Sequence, residues 1–172
     1  LAHLIDGFGG DPDRPHDGIV FGRADGSHAV EVGTHAFRDS ITVRSPQQPG
    51  EIHVVGFLNA IGDAQIRFQG SHHTTTLMTE THTEGVDWLF EDSANVGAGD
   101  SALISSGPLG GSITIDGNVD GVADVGNLSE DLTIEAGTGD VIILGDVGLV
   151  EPLRNLTIVS ARNVTIYGNV FI

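Results

Sequence analysis

The sequence predicts an all-β fold, a parallel β-solenoid of about six or seven irregular rungs, on three observations. The first is a repeat. LTIEAGTGDVIILGDVG at 132–148 returns as LTIVSARNVTIYGNVFI at 156–172, so that Leu132-Thr133-Ile134 meets Leu156-Thr157-Ile158 and Val141-Ile142-Ile143 meets Val164-Thr165-Ile166. Each piece alternates apolar and polar residues, the period of a strand with one face toward a core. Two short strands and a Gly or Asn corner, recurring after about two dozen residues, are the signature of stacked coils. The second observation is composition: 25 glycines stand against seven Phe, one Trp and one Tyr. Tight corners with positive φ call for Gly, and small coils leave little room for large rings. The third is the dominance of Val, Ile and Thr with no helical period in any window, so helix is expected to be nearly absent. Seven rungs at about 4.8 Å each make a rod of about 34 Å.

Taken in order, residues 1–35 are rich in Gly, Pro and Asp and depart from the repeat; they read as a cap-like or linking segment, with the solenoid over 36–172. ITVRSPQQPGEIHVVG, from Ile41, is an early and divergent turn. LMTETHTEGVDWLFED opens the next at Leu77, and LISSGPLGGSITIDGNV another at Leu103, its ITIDGNV paralleling VTIYGNV near the end. The starts at Leu77, Leu103, Leu132 and Leu156 are spaced 26, 29 and 24 residues apart. A solenoid tolerates such unevenness because insertions leave the stack sideways at corners. The alternative is a β-sandwich with chance similarity between strands; its hairpins would favour two-residue Asn-Gly or Asp-Gly turns, which are scarce between the later strands. The expected pairing is parallel, with Leu132, Ile134, Val141, Ile143, Leu156, Ile158, Val164 and Ile166 pointing inward.

Charge excludes several partners. There are 24 acidic residues against seven basic ones, all Arg, for a formal net charge of −17. Such a chain cannot neutralise phosphates, so nucleic acid and anionic membrane surfaces are poor partners. An acidic surface keeps a repetitive β protein soluble and discourages edge-to-edge association at low ionic strength; divalent cations would screen or bridge it. No cysteine is present, which removes disulfide and thiol chemistry. No apolar run approaches the length of a membrane-spanning helix. The chain opens on LAHLIDG and stops on VFI in mid-strand, and both ends read as cut from something longer.

The segments DGIVFG, VGTHAFRDSITVR, GEIHVVG, GDAQIRFQGSHHTTTL, DLTIEAGTGDVIILGDVG and PLRNLTIVSARNVTIYGNV resemble filamentous-haemagglutinin-like, β-strand-repeat giant bacterial surface proteins. The likeness covers most of the chain and is clearest from residue 100 onward. It implies a right-handed parallel β-helix, secreted and extracellular, that serves as an adhesin, stalk or matrix element. It carries over no catalytic residue.

Candidate chemistry is thin. In DGNVDGVADVGN, Asp116, Asn118 and Asp120 followed by Gly121, with Asp124 further on, match the first nine positions of a calcium loop. Alternate side-chain oxygens let a tight turn wrap a hard cation, and Gly at the sixth place permits the reversal. The twelfth place is Asn127 rather than a bidentate Glu, and no flanking helices are visible, so the bland reading is a corner after ITI. Asp11, Asp13 and Asp17 form a second acidic group, in a proline-containing loop. His72, His73 and His82 would suit a transition metal if adjacent coils brought them together. Thr79, Thr81 and Thr83 alternate onto one face, read as a solvent face.

Asn127, Asn155 and Asn163 head N-x-[ST] sequons, but each precedes a strand, where Asn suits a turn by bonding its own backbone. Asp87, Trp88, Phe90, Glu91 and Asp92 are the one local group resembling a sugar platform. They carry the alternative of a polysaccharide-binding or polysaccharide-degrading β-helix. The preferred expectation is a non-catalytic structural or adhesive module. NVTIYGNVFI at 163–172 is apolar and uncharged, with none of the polar capping expected where a solenoid exposes unpaired strand edges. Its coil is therefore expected to be covered, by the next coil of a longer chain or by a neighbouring copy stacked head to tail into a stalk or filament. Surface glycans are the other expected partner.

Overall fold

A computed structural model describes residues 18–69, 74–97, 101–122 and 130–172. In chain order the strands are β1 (Ile19–Phe21), β2 (Val30–Val32), β3 (His35–Phe37), β4 (Ile41–Arg44), β5 (Ile52–Val54), β6 (Leu58–Ala60), β7 (Ile66–Gln69), β8 (Thr74–Leu77) and β9 (Glu80–Thr83). They continue as β10 (Trp88–Phe90), β11 (Ser93–Val96), β12 (Ser101–Ser105), β13 (Ile113–Ile115), β14 (Val119–Gly121), β15 (Asp131–Glu135), β16 (Asp140–Ile143), β17 (Asn155–Ser160) and β18 (Asn163–Ile166). No helix occurs among the described residues, and none is therefore long and apolar enough to cross a membrane.

Three sheets wrap one core. The first is ordered β1-β4-β7-β10-β13-β16-β18, the second β14-β11-β8-β5-β2 and the third β17-β15-β12-β9-β6-β3. Up to β16 every third strand returns to the same sheet; in the last coils β17 follows β15 and β18 follows β16, the second sheet being continued there by the bridge at Val147. The strand pairs are parallel throughout, so the chain is a β-solenoid of about six turns. Leu132 pairs with Leu156, Ile134 with Ile158, Val141 with Val164 and Ile143 with Ile166, as the internal repeat predicts. The ITIDGNV parallel also holds: Ile113 stacks under Val141, and Val119, Val147 and Val170 form one column.

Earlier repeat starts shift. Leu103 pairs with Thr133, and the residue under Leu132 is Ala102; Leu77 lies on the second sheet, paired with Val96. Volume explains the substitution of Ala102 for a leucine. Its coil already holds Trp88 and Phe90, both buried, and Phe68 lies one coil below. Trp88 stacks on Phe68 and Phe90 at ring separations of 6.2 and 6.0 Å, and its Nε1 donates to the Ser105 carbonyl at 3.1 Å. Large rings thus enter the coil where the facing sheets carry Ala94, Ala102, Thr75 and Thr81, the large-against-small packing that a dense interior requires.

Parallel pairing begins at Ile19, which pairs with Ile41, and Val30 pairs with Ile52. Coils therefore extend into the segment 1–35 expected to be cap-like, of which residues 1–17 lie outside the described residues. Thr81 and Thr83, read as a solvent face, point inward and are buried. Their hydroxyls donate to the carbonyls of Leu103 and Val86 at 3.1 and 2.6 Å, which removes the cost of burying them.

At one corner the glycines are needed for proximity and not for unusual φ. Gly117, Gly145 and Gly168 stack at the corner that follows the first sheet. A Cβ on Gly145 would lie 2.6 Å from Gly117 backbone atoms, and one on Gly168 would lie 2.4 Å from the Gly145 carbonyl oxygen. None of the three has positive φ.

Candidate functional site

Two corners of the solenoid are stitched by side chains that accept a backbone N–H from the coil above. At the entry to the first sheet, Gln65 N donates to Ser40 Oγ at 3.0 Å, Ser112 N to Asp87 Oδ1 at 2.6 Å, and Asp140 N to Ser112 Oγ at 3.4 Å. At the exit, Asn118 N donates to Ser93 Oγ at 3.0 Å, Asp146 N to Asn118 Oδ1 at 2.9 Å, and Asn169 N to Asp146 Oδ1 at 2.6 Å. Small polar residues suit these places because a short side chain reaches one coil spacing, about 4.8 Å, and no further.

The last coil adds a second device. Arg154-Asn155 and Arg162-Asn163 each close on one aspartate of the coil below. Arg162 Nε and Nη2 donate to the two oxygens of Asp140 at 3.0 and 2.6 Å, and Asn163 Nδ2 reaches Asp140 Oδ1 at 2.9 Å. Arg154 grips Asp131 through Nε and Nη2, with Asn155 Nδ2 at 2.8 Å from Asp131 Oδ1. The hydrogen bond from each guanidinium, then that from each Asn amide, holds the Asp131 and Asp140 carboxyls below the usual carboxylate range. The two Asn residues therefore bond a neighbouring coil rather than their own backbone as the sequence suggested.

Above that coil the stack is open. Leu132, Ile134, Val141 and Ile143 are fully buried, whereas Leu156, Ile158 and Ile166 are half-buried and Val164 is 48% exposed. Val170, Phe171 and Ile172 are exposed beside them. Lower coils show what the edge offers: Val30 N, Trp88 N and Val147 N donate upward to the carbonyls of Glu51, Ser112 and Asn169. By the same pattern the N–H groups of Val164 and Val170 face solvent. Asn155, Asn163 and Asn169 all spend their Nδ2 downward, the last on Asp146 Oδ1 at 3.1 Å. Their Oδ1 atoms accept no hydrogen bond from the described residues.

The calcium-loop residues fall on this same framework. Asp116 is exposed; Asn118 Oδ1 accepts from Asp146 N, and Asp120 is buried with Oδ1 accepting from Val150 N at 2.9 Å. Asp124 lies outside the described residues. Among the described residues no group of three His, Cys, Asp or Glu side chains is placed to hold a metal ion. Asp11, Asp13, Asp17, His72 and His73 also lie outside the described residues. His82 packs on Phe57 at 5.1 Å between ring centres.

The expected sugar platform is divided by strand alternation. Trp88, Phe90 and Asp92 point into the core, while Asp87 is exposed and Glu91 pairs with Arg67 on the outer face. What lies outside is a groove of about 270 Å³ lined by residues including Gln65, Arg67, Asp87, Leu89 and Thr114. Asp92 is the interior anomaly. The Thr75 hydroxyl lies 3.3 Å from its Oδ1, and its Oδ2 has no partner among the described residues. Burial pushes its carboxyl up to about 8, against weaker opposing hydrogen bonds, the Thr75 hydroxyl's first.

No family model, curated protein or solved structure matches this chain.

Proposed function

We propose that this chain is a non-catalytic structural or adhesive module of a large bacterial cell-surface or extracellular-matrix protein, of the filamentous-haemagglutinin-like kind its repeats resemble. The observation that supports this reading is the regular parallel stack, three sheets around one apolar core with coil stitched to coil by small polar side chains at the corners. The interior is filled by side chains, leaving length and outer surface as what the module offers. A net charge of −17 keeps such a repetitive β surface from indiscriminate association at low ionic strength. In this reading calcium acts on the acidic surface as a screening or bridging ion.

Antibody raised against the purified chain tests the location. Labelling of intact producing cells at their surface is expected; label found only after lysis contradicts the reading. A second reading, polysaccharide binding, is favoured by the groove around Arg67 and Asp87. Titration with surface glycans checks it: binding that Arg67→Ala abolishes supports it, and heatless titrations count against it.

A further inference from the structure

We propose that the groove on the outer face of the first sheet seats one uncharged sugar ring of a neutral polysaccharide, and holds it without cleaving it. The inference rests on the second reading above and adds to it the class of glycan and the contact atoms.

Strand register builds the seat. Arg67, Leu89 and Thr114 stand in one outward column on three successive coils, and Gln65 and Asp87 lie two residues before Arg67 and Leu89. Half-buried Leu89 gives the groove an apolar floor. Its volume of about 270 Å³ is near the lower end of the range for small-molecule sites, about 300–1,000 Å³, which suits a single ring. The groove lies in mid-stack, with further strands of the sheet on both sides of it.

Unused polar atoms set this groove apart on its sheet. In the same entry column Ser40, Ser112 and Asp140 are all engaged with a neighbouring coil. Asp87 gives only Oδ1 to Ser112 N, at 2.6 Å, and its Oδ2 has no partner among the described residues. Arg154 and Arg162 each close on a carboxylate through two nitrogens, whereas Arg67 reaches Glu91 through Nη2 alone. Arg67 Nε and Nη1, the Gln65 amide and the Thr114 hydroxyl bond nothing among the described residues. Donors and acceptors thus ring an aliphatic floor, the few placed polar groups on apolar ground that orient a small ligand. The hydroxyls of a sugar pair with that rim while its C–H face lies on Leu89. Hydrogen bonds to charged groups are the stronger ones, so Asp87 and Arg67 carry most of the affinity.

Charge selects a neutral sugar. Arg67 and Glu91 cancel, and Arg44 is bonded to Gln69 two coils below Glu91. Asp87 therefore leaves the groove with one net negative charge, on a chain of −17. The carboxylate of a uronic acid is repelled by that field, and the Arg67 guanidinium on the rim turns away the ammonium of an amino sugar. Cleavage needs two carboxyl groups about 5–9.5 Å apart across the bond. Asp87 and Glu91 are four residues apart on one extended strand, about 13 Å, and each is tied to its own partner.

Saturation-transfer NMR of the purified chain tests this with glucose, mannose and galactose hexasaccharides against a galacturonate hexasaccharide. A neutral hexasaccharide should bind and be recovered at full length, and the galacturonate should not bind. Asp87→Asn keeps an oxygen for Ser112 N and puts a donor where the free acceptor stood. It should weaken binding about tenfold or more, the loss of one hydrogen bond to a charged group, with Tm retained. Arg67→Ala should weaken it as much. Galacturonate binding that Arg67→Ala abolishes overturns the inference and leaves the second reading standing; binding of neither class overturns both. Neutral binding indifferent to Asp87→Asn, or a shortened oligosaccharide, also overturns the inference.

Discussion

Asn163 Nδ2 donates to Asp140 Oδ1 at 2.9 Å, and Arg162 closes on both oxygens of the same carboxylate from the same coil. One aspartate thus receives a charged and a neutral clamp from the coil above, and Asp131 receives the same pair from Arg154 and Asn155. Because both carboxyls titrate below the ordinary range, the clamps are complete above about pH 4 and are lost only as pH falls through their depressed pKa values. Arg162→Ala should lower Tm at pH 7 by an amount that shrinks in 1 M NaCl, whereas the loss from Asn163→Ala should ignore salt. Thermal melts across a salt series check both.

Asp92 behaves in the opposite sense. Folded, it keeps its proton up to about pH 8; unfolded, it releases it near 3.8. Between those values the folded chain holds more protons than the unfolded one, so stability falls as pH rises through this window. Asp92→Asn should melt like the parent at pH 4 and be more stable than it above pH 8, by a few kcal/mol, since each tenfold change in proton affinity is worth about 1.4 kcal/mol. Urea unfolding at several pH values measures the slope; parallel curves for the two proteins would mean that Asp92 is solvated.

Two glycines separate proximity from chain entropy. Gly145→Ala forces a Cβ to within 2.4 Å of Asn118 Oδ1 and should cost about 1–3 kcal/mol, the usual range for overpacking. Gly33→Ala meets nothing within 4 Å at ordinary φ and should be neutral or stabilising by about 0.4–1 kcal/mol through the unfolded chain. Equal losses at both positions would contradict the close coil approach.

At Asp116–Asp120 the relevant comparison is with and without calcium. Asn118→Ala and Asp120→Ala each remove an acceptor for the N–H of a neighbouring coil and should cost about 1–2 kcal/mol. The loss should be the same in millimolar calcium as in chelator. A loss that appears only in calcium would make these residues ligands instead of stitches.

How much of this was legible differs along the chain. LTI at 132 and 156, and ITIDGNV against VTIYGNV, could be aligned because their columns hold chemically similar residues in the last coils. Earlier, one column passes through Ile66, Trp88 and Ile113, and another through Thr81, Ile104 and Ile134. Coils trade volume across the core there, so residue type no longer marks position, and Leu77 and Leu103 attract the eye without being equivalent to Leu132. The clamps were missed for a related reason. Arg162 and Asp140 are 22 residues apart, a separation that means nothing until the coil length is known, although the Arg-Asn pair before LTI and again before VTI was in plain view. The expected sugar group is split by parity, since consecutive residues of one strand point to opposite faces, which sends Trp88, Phe90 and Asp92 inward and Asp87 and Glu91 outward.

The account rests on each coil being bonded to the next around one core, and amide hydrogen exchange resolved at Trp88, Val119 and Val147 tests this most directly. Their N–H groups, bonded to the carbonyls of Ser112, Asp146 and Asn169 at 2.9, 2.9 and 2.8 Å, should be strongly protected, and more so than the N–H of the exposed corner residue Leu109. Exchange at Trp88, Val119 and Val147 as rapid as at Leu109 would contradict the account.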